Sequence, residues 1–444
     1  MTGSFPGDDP QHVPLALDFP GALDFPEALD FPGALSSPET PPSPEALRSP
    51  QAPREATTVV IVGGGVSGLT TAMLLRRSGI GCLVLERQSR DYVEQRQRAG
   101  LVEFRGVRMF TEWGLADVLG AFPASNTMEV RVDGEPVLFG LDAHAREHVG
   151  LLTPQQALVR NLIGAFLADG GDLRFNVADV ALRAIVTDKP VVSYTGADGI
   201  AREIECDFVA GCDGDHGVSR AAIPDGVLTA YTRDYGITWL AILADTPAPR
   251  QPCFGIGRHG CAAAFSRGPK TARFYLEIPP GDTVADWPED RIWPELKKRF
   301  WAPDLLTGPV TETEIFALRS QVFEPMSHGR LYLLGDAAHV ISPMGAKGMN
   351  LALFDAETFA LAVRDHVTSG DDSGLRGYSA TCLTRTWNYQ EYADWMSSLL
   401  FSLCGHHATA DPYAAKLARA RLARFTDESS TAARAWGELI TGLG

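Results

Sequence analysis

A run of β-branched residues breaks directly onto glycines at TTVVIVGGGVSGL, and this junction constrains the fold more than any other part of the chain. Val59 to Val62 has strand composition. Gly63, Gly65 and Gly68 follow with the spacing G-x-G-x-x-G, and Leu69, Met73 and Leu74 then recur at helical spacing until Gly79 stops the pattern. A second apolar run, Cys82 to Leu85, closes on Glu86, so the segment reads as one βαβ unit. Such glycines permit a tight turn and let the backbone approach a pyrophosphate, whose charge is held at the helix N-terminus. Glu86 stands where an acid accepts hydrogen bonds from a ribose. A merely structural turn would explain the glycines but not the acid, so the implied ligand is a dinucleotide.

The bulk properties set the frame around this unit. A chain of 444 residues with 45% hydrophobic and 21% charged residues suits two or three packed units. No apolar run is long enough to cross a bilayer, and the start MTGSFPGDDP lacks the basic and apolar parts of a secretory signal, which points to the cytoplasm. The net charge is -16, of which residues 1–56 supply -7 (nine Asp/Glu against Arg48 and Arg54), leaving -9 for the rest. A distributed acidic balance without a basic stripe argues against nucleic acid. The seven cysteines form no C-x-x-C pair. Cys404, His406 and His407 are a poor ligand set, because adjacent histidines do not share a helical face, and no metal is expected.

Residues 1–56 hold twelve of the thirty prolines and the repeat ALDFPG-ALDFPE-ALDFPG, too short and too proline-rich to build a core. The segment reads as a linker, or as a docking motif through its Leu and Phe residues. Beyond the βαβ unit, MEVRVDGEPVLFGL (128–141) alternates like a hairpin turning at Asp133-Gly134. Residues 183–211 repeat the hairpin pattern, the region from Ile237 to Ile278 is rich in strand residues, and the chain from about Ala356 onward reads as helical.

Two further segments narrow the dinucleotide to a flavin. GCDGDHGVSR, Gly211 to Arg220, is the first; GRLYLLGDAAHVISPMGAKGMNLALFDA, Gly329 to Ala356, is the second. In the latter a buried strand ends at Gly335-Asp336, where a carboxylate can bond the ribityl or pyrophosphate part. The glycine-rich turn Pro343 to Gly348 then opens a helix near Met349. A helix N-terminus aimed at the isoalloxazine would stabilise the charge of the reduced ring.

These motifs, with ERQSRDYVEQRQRAG (86–100), WLAILADTP (239–247) and DWPEDRIWPELKKR (286–299), make the chain from Val59 to about Trp395 resemble the FAD-dependent aromatic hydroxylases of the para-hydroxybenzoate hydroxylase type. The resemblance implies a mixed α/β (α+β) fold: a Rossmann-like FAD-binding domain (57–127, 151–228 and 319–370), an inserted mixed-sheet substrate domain (128–150 and 229–318), and a C-terminal helical region (371–444) that pairs two copies into a homodimer. It assigns Gly63, Gly65, Ser67, Gly68, Glu86, Arg87, Arg98, Gln155, Asp213, Asp336, Gly348, Met349 and Asn350 to FAD. Arg87, Gln88, Tyr92, Arg96, His216 and Arg319 fall to the nicotinamide cofactor; the Arg87-Gln88 pair favours NADPH over NADH, with a surface ion pair as the competing reading of Arg87. The implied chemistry is reduction of FAD by NAD(P)H, addition of O2 to give a C4a-hydroperoxide, and transfer of its distal oxygen to an electron-rich ring.

The stretch CFGIGRHGCAAAFSRGPKTARFYLEI, Cys253 to Ile278, matches the substrate strands of that family. Arg267 falls where a guanidinium forks onto a substrate carboxylate, with Tyr275 as a second donor; the competing reading pairs Arg267 with an internal acid. Arg273 and Pro343 take the catalytic positions, Arg273 on the flavin side, while Arg258 reads as surface. The chain departs from the family where hydroxyls are expected. Phe254 (or Gly255) replaces one tyrosine of a proton relay, a position near Ile440 the other, and Ser125 its histidine. Phe265 replaces a serine and Met344 a threonine. A buried phenolate would therefore lack partners, so the expected substrate is a small aromatic acid activated by an amino group, an aminohydroxybenzoate above all. Plain 4-hydroxybenzoate, an oxidative decarboxylation, and a non-catalytic flavin-binding sensor or interaction module are the alternatives. A flavin-dependent halogenase is set aside because no W-x-W occurs among the eight tryptophans.

Overall fold

The computed structural model describes residues 55–96, 100–120, 122–125, 127–140, 148, 150–427 and 430–442. The repeat segment and Arg98 lie outside the described residues. The described chain belongs to one compact unit of mixed α/β architecture, built on two eight-stranded sheets and a three-stranded one.

The first sheet forms around the strand Glu55–Val62, whose residues Val59, Val60 and Ile61 are fully buried, as a strand covered on both faces demands. It pairs in parallel with Cys82–Leu85 on one side and Ala201–Gly211 on the other, and Leu331–Leu333 extends the latter in parallel. The glycine turn leads into the helix Val66–Arg77, which packs against the helices Gln155–Ala168 and Gly348–Ser369. Gly79 ends this helical segment with φ +74, a conformation glycine adopts without Cβ strain. The hairpin Val191–Thr195 with Ala201–Gly211 belongs to this sheet.

The second sheet runs in the order His339–Val340, Val310–Glu324, Thr229–Ala244, Thr271–Ile278, Gly260–Gly268, Cys253–Gly257, Thr127–Val132, Glu135–Gly140. Its pairs are antiparallel except that between Cys253–Gly257 and Thr127–Val132. The turn at Asp133-Gly134 has positive φ at both residues (51 and 92), as a two-residue hairpin requires. The strand Val310–Glu324 runs through position 318, where the sequence reading drew a domain boundary.

Strand alternation gives this sheet two working faces. Leu240, Ile242, Ala264, Phe274 and Leu276 point to a core shared with the helix Glu289–Arg299. Trp239, Phe254, Ala263, Phe265, Tyr275 and Phe316 point the other way, toward Met344 and the helices Ser373–Phe401, Pro412–Phe425 and Thr431–Thr441. No described helix is long and apolar enough to cross a membrane, and no group of three His, Cys, Asp or Glu among the described residues could hold a metal ion.

Candidate active site

Three segments far apart in sequence converge at the first sheet's carboxyl edge. Gly63 has φ +108, and a Cβ there would run into the carbonyl of Cys212 and stand 2.9 Å from the Asp213 nitrogen. A Cβ on Gly335 would stand 3.3 Å from the Ser67 Cβ and 3.2 Å from that of Ala352. The glycine turn, the Cys212-Asp213 corner and the Gly335-Asp336 turn are thus mutual neighbours. A methyl group on Gly65, by contrast, would meet nothing within 4 Å, and the helix beginning at Val66 has no side-chain cap and no acid in its first turn. A helix start without a side-chain cap leaves its first N–H groups to suit an anion.

The carboxylates around this cradle are differently employed. Glu86 accepts from the Gly64 N–H and the Gln88 N–H, each at 2.7 Å, which fixes the acid beside the turn and leaves lone pairs for a ribose. Asp213 accepts from the Ser219 N–H at 2.8 Å through one oxygen, while its other oxygen is buried without a partner. Burial pushes the Asp213 carboxyl above its ordinary range, against the pull of those N–H groups. An orphaned acceptor beside an anion cradle fits a nucleotide whose sugar hydroxyls can donate to it. Asp336 is half-buried in the turn Gly335–Ala337.

The turn Pro343 to Gly348 leads from the second sheet to the helix Gly348–Ser369, on which Met349 is half-buried. It is held by a charge pair that sequence reasoning missed. Lys347, with no exposed surface, donates to Glu103 Oε1 at 2.5 Å and to the carbonyls of Leu439 and of Ile440 (3.2 Å), while Tyr389 donates to Glu103 Oε2 at 2.6 Å. Burial lowers the Lys347 pKa and Glu103 opposes that fall. The C-terminal helix is thereby capped onto the flavin-side turn. The Asn350 side chain, expected at the cofactor, ties this turn to its surroundings: it accepts from the Glu103 N–H (2.9 Å) and donates to Leu101 O (2.9 Å) and Ala346 O (3.1 Å). A second buried pair, His339 with Asp355 at 2.8 Å, anchors the Gly335 N–H through the same carboxylate oxygen (2.9 Å). Burial lowers the His339 pKa, but the charge and hydrogen bond of Asp355 outweigh it and the net direction is upward.

On the face of the second sheet that packs toward Met344 and the C-terminal helices, the side expected to form the substrate chamber, edge-to-face rings run from Phe254 to Phe265 (5.7 Å) to Tyr275 (5.9 Å) and on to Phe316 (6.4 Å). Met344 lies in the same cluster and Pro343 is exposed beside it. Arg267 sits in a bulge between Ser266 and Gly268, the extra residue that re-aims a side chain on a regular strand. It pairs with no carboxylate among the described residues; burial and the neighbouring Arg273 lower its pKa, and Tyr275 opposes them. Arg273, nearly buried, faces Glu312 and Glu314 at 3.8 Å each and lies over the Tyr275 ring. Arg258 is exposed.

The remaining expected positions scatter around this centre. Gln155 opens the helix Gln155–Ala168 and is half-buried. Arg87, Tyr92 and Arg96 are exposed around the short helix Arg90–Gln95, with Gln88 half-buried. His216 and Arg319 both meet Asp215, His216 at 3.6 Å, and Arg220 joins them at 3.3 Å. Ser125 is exposed and donates to Thr127 O (2.8 Å), so it closes a local turn. Ile440 packs partly buried against the chamber core.

Comparison with known proteins gives the same picture at coarser grain. A family model described as an FAD binding domain matches residues 56–393. The p-hydroxybenzoate hydroxylase of Acinetobacter baylyi is 35% identical over 350 residues, covering 78% of this chain and 86% of the relative. The 3-amino-4-hydroxybenzoate 2-monooxygenase of Streptomyces cremeus is 28% identical over 346 residues, covering 74% and 84%. Among crystal structures, a p-nitrophenol 4-monooxygenase from Pseudomonas putida superposes with a TM-score of 0.74 at 22% identity, covering 88% of this chain and 98% of that one, a likeness of fold.

Proposed function

The chain belongs to the FAD-dependent aromatic hydroxylases of the p-hydroxybenzoate hydroxylase type, and from that membership we propose that it inserts one oxygen atom of O2 into the ring of a small aromatic carboxylic acid, using NADPH or NADH as reductant. The observation that carries the acid is Arg267, a cation beside Tyr275 that pairs with no carboxylate among the described residues. A guanidinium in such a place favours a planar anion that can take two parallel hydrogen bonds.

FAD supplies the oxygen-activating ring when bound; Gly63, Gly65, Ser67, Gly68, Glu86, Asp213 and Asp336 would hold its nucleotide end, and the turn Pro343–Gly348 with Met349 its ring end. Arg267 and Tyr275 orient the acid. Phe254, Phe265 and Met344 exclude water, without which reducing equivalents would be lost as hydrogen peroxide. Arg273 beside Tyr275 adds positive charge to the same wall. For the reductant, the exposed Arg87 next to Gln88 supports recognition of a 2′-phosphate, with Tyr92, Arg96, His216 and Arg319 as further contacts. The exposed Tyr413 and Leu417 on the C-terminal helices support pairing of two copies there.

Among acids, an amino-substituted hydroxybenzoate is favoured. The chamber wall carries Phe254, Phe265 and Met344 where a phenolate would need hydroxyls, whereas an aniline nitrogen feeds the ring without losing a proton. The activity by which the Streptomyces cremeus relative is named supports this choice; that of the Acinetobacter baylyi relative supports plain 4-hydroxybenzoate as the second reading. Turnover of a panel of hydroxy- and aminobenzoates, following NAD(P)H oxidation together with product and peroxide, separates them. Best and fully coupled turnover of 4-hydroxybenzoate would overturn the amino reading. NAD(P)H oxidation stimulated by no aromatic acid would overturn the acid.

A further inference from the structure

The second sheet carries buried tryptophans on both faces, and they differ in one respect. On the face toward Glu289–Arg299, the indole N–H of Trp287 donates to Asp282 at 2.9 Å and that of Trp293 to Glu289 at 3.2 Å. On the chamber face Trp239 is only 3% exposed, and its Nε1 is buried with no acceptor. A desolvated N–H without a partner is uncommon in a native protein and carries a penalty. The ring lies 4.8 Å from Tyr275 and 6.1 Å from Phe401, across one strand from Phe316 and across the other from Glu277, whose carboxylate is engaged by the Cys261 N–H (3.0 Å) and by His407 (3.4 Å) and not by the indole.

We propose that Trp239 is a third donor to the substrate carboxylate, alongside Arg267 and Tyr275. This rests on the reading of the substrate as an aromatic acid. A carboxylate has about four lone-pair sites and no donor, so a two-pronged guanidinium leaves acceptor capacity over. The Tyr275 ring lies 4.8 Å from that of Trp239, and Tyr275 is also the group that favours the charge on Arg267, so one residue relates the cation to the open N–H. Phe265 stands where the related hydroxylases are expected to offer a serine hydroxyl to the acid. An indole N–H on the adjoining wall supplies a donor in its place while keeping the chamber free of water.

The test uses the FAD-loaded protein and the change in flavin absorbance on ligand binding. Its readout is the preference for 4-hydroxybenzoate over phenol, the same ring without the carboxylate. Trp239→Phe, which keeps the ring contacts, is expected to lower that preference about tenfold while phenol binds as before; retained flavin absorbance reports its fold. Equal weakening of both ligands, or no change, overturns the proposal. Should Trp239→Phe not fold, the pair Trp239→His and Trp239→Leu serves: the N–H-bearing variant must keep more of the preference, and equality overturns the proposal. Arg267→Ala is run beside them. Preference lost there but kept in Trp239→Phe sinks the role of Trp239 and leaves the acid; preference kept in both sinks the acid as well.

Discussion

The joint around the turn Pro343–Gly348 and the ring-lined face of the second sheet, the proposed chamber wall, treat their charged groups differently. At the joint, Lys347 is answered by Glu103, His339 by Asp355 and Glu86 by two N–H groups, all from within the chain. Asp213 Oδ1 and Ser67 Oγ, at the cradle itself, are buried without a partner among the described residues, as are the outer atoms of the second pair, His339 Nδ1 and Asp355 Oδ1. On the chamber wall, Arg267 and the Trp239 N–H have no such answer. A protein gains stability by closing its own pairs and gains binding by leaving groups open, so the first region should respond to mutation in stability and the second in affinity.

The largest break falls at the joint. Lys347→Met leaves Glu103 buried without its cation, and urea unfolding should show a loss of about 3–5 kcal/mol; a loss under about 1 kcal/mol, within the range of exposed pairs, would mean that the pair does not hold the C-terminal helix. Next comes the cradle. Gly63→Val combines a strained positive φ with collision against the Cys212 carbonyl, and FAD affinity should fall about 100-fold by flavin fluorescence. Undiminished affinity would show that the turn can open.

Arg267→Met should act in the opposite sense to Lys347→Met. The substrate KM is expected to rise about 10- to 100-fold with FAD retained, while unfolding stability stays level or rises by about 1 kcal/mol because an unpaired cation has left the interior. A stability loss of several kcal/mol would reassign Arg267 to structure and erase the contrast. The smallest effect is one of pH. The folded His339 pKa lies above its ordinary 6.5, so its pair contributes fully below about pH 6.5, and that contribution is lost as pH rises through the folded value. Stability should fall over that window by at most about 1.4 kcal/mol per pH unit, and a flat profile would mean that His339 stays in one protonation state.

How much of this could be read in advance follows from what each part is made of. The glycine turn, Glu86 and the Gly335-Asp336 strand end are local devices whose spacing survives in the sequence, and the structure brings them together. The Asp133-Gly134 hairpin was legible for the same reason. Lys347 and Glu103 lie 244 positions apart with no motif to link them. Asn350 could be assigned to the cofactor side, but not the three backbone groups that occupy its amide. Trp239 stood in the quoted segment WLAILADTP as a mark of resemblance, with no hint that its N–H would go unanswered.

The sequence by itself therefore determined the nucleotide-binding turn and, through its motifs, the FAD-dependent hydroxylase family, because backbone conformation and side-chain chemistry are properties of residues and short spacings. The tertiary structure alone decided which buried groups find partners. Pairing depends on which strands become neighbours and which face each residue takes, so only the folded sheet separates Trp287 and Trp293, with their acceptors, from Trp239 without one.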